Sequence, residues 1–123
     1  MDIYLPATKN TPEVTLDLTQ KFLKLKGVSS PENNLDFYDK IIDALNIKAN
    51  SGKFQVDVSF IHFNTSSSKS IFTLFQKLKS INNEGNEVEV NWHYEQDDED
   101  MLECGQDFSE LLDMHFNFIE YKL

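Results

Sequence analysis

Cysteine is nearly missing from this chain: Cys104 is the only thiol in 123 residues. A single thiol closes no internal disulfide, so the fold must hold without cross-links, and the reducing cytoplasm is its natural setting. Glycine is scarce as well, with four in all. Neither a Walker A loop nor a dinucleotide-binding glycine fingerprint can be placed. Basic residues number 11 against 21 acidic ones, a formal net charge of -10. That balance excludes the usual means of holding nucleic acid, in which Lys and Arg neutralise phosphates. It equally disfavours an anionic membrane surface. No apolar run approaches the roughly 20 residues of a membrane-spanning helix. The first residues, MDIYLPATKN, lack the basic and then apolar order of a signal peptide.

What is present is enough apolar and aromatic material for a packed core: 40% hydrophobic and 12% aromatic residues. The length suits one domain over residues 1–123, and no repeat or linker interrupts it. The chain is organised around FQVDVSFIHFNTSSSKSIF, residues 54–72. Phe54, Val56, Val58 and Phe60 alternate with polar residues, and Ile61 with Phe63 extends apolar character to both faces, the pattern of a buried strand. After Asn64 come Thr65, Ser66, Ser67 and Ser68. Ile71, Phe72, Leu74, Phe75, Leu78 and Ile81 then recur at helical spacing. A strand thus delivers a hydroxyl cluster to a helix start. There the free N–H groups of the first turn can be met by hydroxyl side chains or by a phosphate. By itself this pattern reads first as an ordinary helix cap. It is also the arrangement a phosphorylatable switch requires.

The remaining elements follow from periodicity. Residues 1–13, with Pro6 and Pro12, read as an irregular lead-in. Val14, Leu16 and Leu18 form a half-buried strand that turns near Thr19–Lys21 into a second one ending at Gly27. Ser30 and Pro31 suit the start of a helix that carries Leu35, Tyr38, Ile41, Ile42 and Leu45 on one face. Gly85 suits the left-handed end of the helix after Asn64. Val88, Val90, Trp92 and Tyr94 mark a strand parallel to the central one. The acidic run EQDDED leads into a helix through Met101, Leu102, Cys104, Phe108, Leu111 and Leu112, and FNFIEY closes as a strand. The expected class is α/β: a mixed sheet of four to five strands with about three helices packed on it.

Little here supports catalysis. The acidic run fails the calcium-loop pattern, since its sixth position is Leu102 or Glu103 where glycine is needed. His62, His93 and His115 show no zinc spacing. No nucleophile elbow surrounds the serines. A Ser/His hydrolase using His62 or His93 is the weakest alternative, and a constitutive interaction scaffold is another. No metal and no cofactor is expected.

Several segments taken together are more specific. IYLPATKNTPEV, SSPENNLDFY, FNTSSSK, VNWHYEQDDEDMLECGQDF and FNFIEY, in this order, resemble the SiaC family of regulatory phosphoproteins over nearly the whole chain. The resemblance implies a STAS-like fold, that of anti-sigma-factor antagonists, and a partner-switching role without catalysis. It implies a cognate serine/threonine kinase, an opposing PPM-type phosphatase, and a diguanylate cyclase activated by the unphosphorylated form. The family's phosphothreonine falls on Thr65. The related antagonists use the second hydroxyl of Asp-Ser-Ser-Gly, which falls on Ser66, although Asn64 and Ser67 stand here in place of that Asp and Gly. Partner contacts are expected at Asn64, Ser66, Ser67, Ser68 and Lys69.

Overall fold

The computed structural model describes residues 3–31 and 34–122. Strands β1 (Ile3–Leu5), β2 (Glu13–Asp17), β3 (Phe22–Ser29), β4 (Lys53–Phe63), β5 (Glu87–Glu95) and β6 (Phe116–Tyr121) form one six-stranded sheet in sequence order. Helices α1 (Asn34–Ala44), α2 (Thr65–Asn83) and α3 (Glu99–Leu112) connect the last four strands. β1, β2 and β3 pair antiparallel, and β3 to β6 pair parallel. This mixed α/β architecture is the expected one with one strand more. The extra strand is β1, where an irregular lead-in was expected; its three residues pair with β2 from Ile3↔Leu16 to Leu5↔Val14. A three-residue edge strand is too short to announce itself by alternation.

The register explains why all three helices share one face. Leu16, Leu23, Val56, Val90 and Phe116 are aligned across five strands, and all are buried. One residue along, Thr15, Lys24, Asp57, Asn91 and Asn117 form the corresponding row on the opposite face. Because strand side chains alternate, one row faces the helices and the other stays open. The apolar faces of α1, α2 and α3 cover the first row with Tyr38, Ile41, Leu74, Phe75, Leu78 and Phe108. Trp92, 1% exposed, sits at the centre of an aromatic cluster with Phe60, Phe75, Phe108 and Phe116, ring centroids 5.8–6.2 Å from its own.

Three local expectations are corrected. Ile61 is 64% exposed and points to the open side, so β4 is not buried on both faces at its end. Helix α1 begins at Asn34, beyond Ser30 and Pro31; residues 32 and 33 of that approach lie outside the described residues. The cap of α2 is Asn64, where the hydroxyl run was expected to supply it. The left-handed Gly85 is as expected: its φ of +85° follows the α2 C-cap Glu84.

Candidate functional site

The carboxyl ends of parallel strands are where α/β folds place their binding groups, because the helix N-termini gather there. Here β3 ends at Ser29, β4 at Phe63, and α2 starts at Thr65. The junction is built by hydrogen bonds. The Asn64 N–H donates to the Ser29 carbonyl (3.1 Å), which pins the end of β4 to β3. Asn64 keeps an extended backbone (φ -85°, ψ 174°), and its Oδ1 accepts the Ser67 N–H at 2.8 Å. Its carbonyl accepts the Ser68 N–H at 3.0 Å. An Asx cap suits this place because its short carbonyl reaches the third helical N–H, which nothing else in the helix can satisfy.

The four hydroxyls then separate by geometry. Thr65 and Ser66, in the first positions of α2, are exposed. Ser68 is half-buried and Lys69 exposed. Ser67 is fully buried. Its Oγ accepts from Ser29 Oγ at 2.9 Å, and Ser29 Oγ lies 2.6 Å from the Tyr38 hydroxyl on α1. Of the residues expected to meet a partner, Ser67 therefore has no surface to offer. Its fully buried hydroxyl belongs to the scaffold, and this corrects its place among the partner contacts. Asn64 serves the cap with its carboxamide oxygen, while Ser66, Ser68 and Lys69 stay at least partly accessible.

Electrostatics distinguish this helix start from its neighbour. The first turn of α3 already holds Glu99 and Asp100, with Asp98 as its cap. The first turn of α2 holds no acidic residue. Its partly positive N-terminus is thus not neutralised from within the helix, so an added anion would be favoured there by roughly 0.3–1 kcal/mol. The Tyr38 hydroxyl is pushed up to about 12 by burial, against the opposing hydrogen bond with Ser29, and stays protonated at physiological pH.

The other chemistry-bearing residues lie elsewhere. His93 is on the open face, its Nε2 3.8 Å from Asp57 Oδ1, and His115 meets Asn117 at 3.2 Å. Asp57 also accepts from Asn91 at 2.8 Å and from Gln55 at 3.2 Å. A groove of about 690 Å³ on that face is lined by Lys24, Lys26, Ile61, His93 and Tyr121, among others, and not by the hydroxyl cluster. The Cys104 thiol is pushed up by burial and then by the acids around it, Asp107 first, the opposite of an activated nucleophile. Among the described residues, no group of three or more His, Cys, Asp or Glu is placed to hold a metal ion. No described helix is long and apolar enough to cross a membrane.

Ser29 and Tyr38 were not singled out from the sequence. The available signal was faint: a tyrosine within the apolar stripe of α1, and a serine at the end of a strand. Only a buried hydroxyl needs a partner, and burial is not visible in sequence.

Comparison with known proteins gives consistent results. The family model for SiaC family regulatory phosphoproteins matches residues 5–121. An uncharacterized protein of Pseudomonas aeruginosa (strain UCBPP-PA14) is 29% identical over 111 residues, covering 89% of this chain and 88% of its own. The solved structure of SiaC of Pseudomonas aeruginosa superposes with a TM-score of 0.81 at 25% identity, over 100% of this chain and 99% of that one. A crystal structure of the diguanylate cyclase SiaD in complex with its activator SiaC, from the same organism, matches with a TM-score of 0.83 at 26% identity, covering 99% of this chain and 100% of that one.

Proposed function

The chain belongs to the SiaC family of regulatory phosphoproteins, and from that premise we propose that it is a non-catalytic switch set by reversible phosphorylation of Thr65. In its unphosphorylated form it binds and activates a diguanylate cyclase, and so raises cyclic di-GMP in the cytoplasm. A serine/threonine kinase closes the switch and a PPM-type phosphatase reopens it. Residues 1–123 act as one regulatory domain.

The observation that carries this reading is the exposure of Thr65 directly after the Asn64 cap, at a helix start with no acid of its own. Phosphorylation adds about -1.5 to -2 charges and three strong acceptor oxygens. The helix N-terminus tolerates that charge, so the fold survives modification. A partner surface pressed against the same spot does not. A dianion there loses its hydration without compensation, and a mismatched buried charge costs on the order of 2–5 kcal/mol. That is enough to release a partner of micromolar affinity at cellular concentrations. Ser66, equally exposed, is the second candidate. The SiaC–SiaD complex supports a cyclase as output, since that activator shares this fold over nearly its whole length.

The test is intact-mass measurement after incubation with the cognate kinase and ATP. Wild type gains one phosphate and Thr65→Ala gains none. A full mass shift in Thr65→Ala, absent in Ser66→Ala, moves the switch to Ser66. Cyclase binding then separates a switch from a constitutive scaffold: the phosphorylated protein loses affinity by at least about tenfold, whereas equal binding of both forms overturns the proposal.

A further inference from the structure

Three fully buried hydroxyl-bearing side chains, from three different elements, meet on the inward side of the first turn of α2, the turn that carries the exposed Thr65. Tyr38 (α1) is 1% exposed, and Ser29 (β3) and Ser67 (α2) are 0% exposed. Ser29 Oγ donates to Ser67 Oγ at 2.9 Å, so its single proton is committed. The 2.6 Å contact with Tyr38 must then be made by the tyrosine proton. The order is Tyr38 O–H to Ser29 Oγ, then Ser29 O–H to Ser67 Oγ. The Ser29 main chain joins in, because its carbonyl accepts the Asn64 N–H at 3.1 Å. One residue of β3 therefore grips both the cap and the third residue of α2.

An apolar core would do without these groups. Burying a hydroxyl is unfavourable unless it is bonded, and a fully satisfied polar network inside a core selects one arrangement over its neighbours. No buried side-chain polar atom among the described residues lacks a partner. The first turn of α2 has two ordinary means of drifting: fraying, as any helix end does, and rotating, which would change the orientation in which Thr65 and Ser66 meet solvent. The Ser67 hydroxyl, held from beneath, opposes both.

We infer that Tyr38, Ser29 and Ser67 are positioning residues for the switch: a buried hydroxyl chain that locks the first turn of α2 so that Thr65 is presented to a modifying enzyme in one orientation, with Ser67 itself never modified. The inference rests on the reading of Thr65 as the modified residue. Its most telling member is Tyr38, on a different helix and one step removed from the turn.

The test uses the full chain and four variants: Ser67→Ala, Tyr38→Phe, their combination, and Ile81→Val. Ile81 is buried toward the far end of α2 and serves as the control that lowers overall stability without touching the chain. Amide hydrogen exchange is followed at Ser67 and Ser68, whose N–H groups are held by Asn64. Removing the Ser67 hydroxyl is expected to speed their exchange about five- to tenfold, and Tyr38→Phe to do so by a smaller factor. The double variant should fall short of the product of the two, because the groups belong to one network. Ile81→Val should leave the ratio of these amides to the rest of α2 unchanged. With kinase and ATP, kcat/KM for Thr65 should fall about tenfold in Ser67→Ala and stay at the wild-type value in Ile81→Val, since a misplaced reacting group reacts more slowly. Peptide mapping of wild type should find no phosphate on Ser67.

Unchanged exchange in Tyr38→Phe, or an undiminished kcat/KM in Ser67→Ala despite faster exchange, overturns the inference. Failure of the underlying function reads differently: wild type itself then gains no phosphate on Thr65. In that case the exchange measurements alone decide whether the hydroxyl chain holds the turn.

Discussion

At the scale of single residues, three serines and a threonine that look equivalent in sequence have different chemistry. Thr65 and Ser66 are exposed, Ser68 is half-buried, and Ser67 lies inside a hydroxyl chain ending at Tyr38. The 100° advance per residue of a helix separates them, and the packing of α1 against α2 decides which direction is inward. Tyr38 allows a sharp check. Its hydroxyl is raised to about 12 from an ordinary 10.0, mainly by burial. Between these values the unfolded chain has released the proton while the folded one still holds it. Stability from this group is therefore complete below pH 10 and falls as pH rises towards 12, by about 2–3 kcal/mol for two pH units at 1.36 kcal/mol each. Urea unfolding of wild type and Tyr38→Phe at pH 8 and pH 11 should show the wild type losing more stability. Parallel losses in both would place the cause outside Tyr38.

Elements were legible where the pattern was long. β4, α2, β5 and α3 fall close to their expected spans because each repeats its period several times. The short strands β2 and β6 were legible too, but β1, with three residues, was not, and the start of α1 depends on a turn rather than on a period. The seating of α3 on β5 was also beyond reach, and it depends on one glycine. Gly105 is buried in mid-helix, and a Cβ there would meet Trp92 Nε1 at 2.6 Å and Cδ1 at 2.7 Å. The indole cannot easily yield, because its Nε1 donates to the Met101 carbonyl at 3.0 Å and the ring is 1% exposed. Alanine would add helix propensity worth about 1 kcal/mol, but overpacking costs about 1–3 kcal/mol. Gly105→Ala should thus lose up to about 2 kcal/mol in urea unfolding, with a red-shifted or broadened tryptophan emission. A stabilised variant would mean that α3 can slide without cost.

For the whole molecule, the charge of -10 acts as a diffuse load on the fold. Surface ion pairs such as Lys53–Glu89 (2.9 Å) and Lys24–Glu13 (3.2 Å) offset it only locally, because solvent and salt screen them. Self-repulsion should outweigh them. Raising salt from about 0.1 M to 1 M shortens the screening length from about 10 Å to 3 Å. A gain on the order of 1 kcal/mol, or about 3–6 °C in Tm, is expected with NaCl. A falling Tm would instead give the local pairs the larger share. The same acidity, together with the single cysteine and four glycines, had already argued from composition against nucleic-acid binding, disulfide scaffolding and glycine-loop nucleotide binding, because those properties are sums over the chain and need no coordinates. The α/β class and the strand-to-helix junction at residues 63–65 were likewise set by local periodicity, which short-range sterics and the hydrophobic effect translate directly. Which hydroxyl faces outward was decided by the tertiary structure alone. That outcome depends on where β3 and α1 come to rest against α2, through contacts between residues 29, 38 and 67 that are distant in sequence and meet only once the sheet has formed.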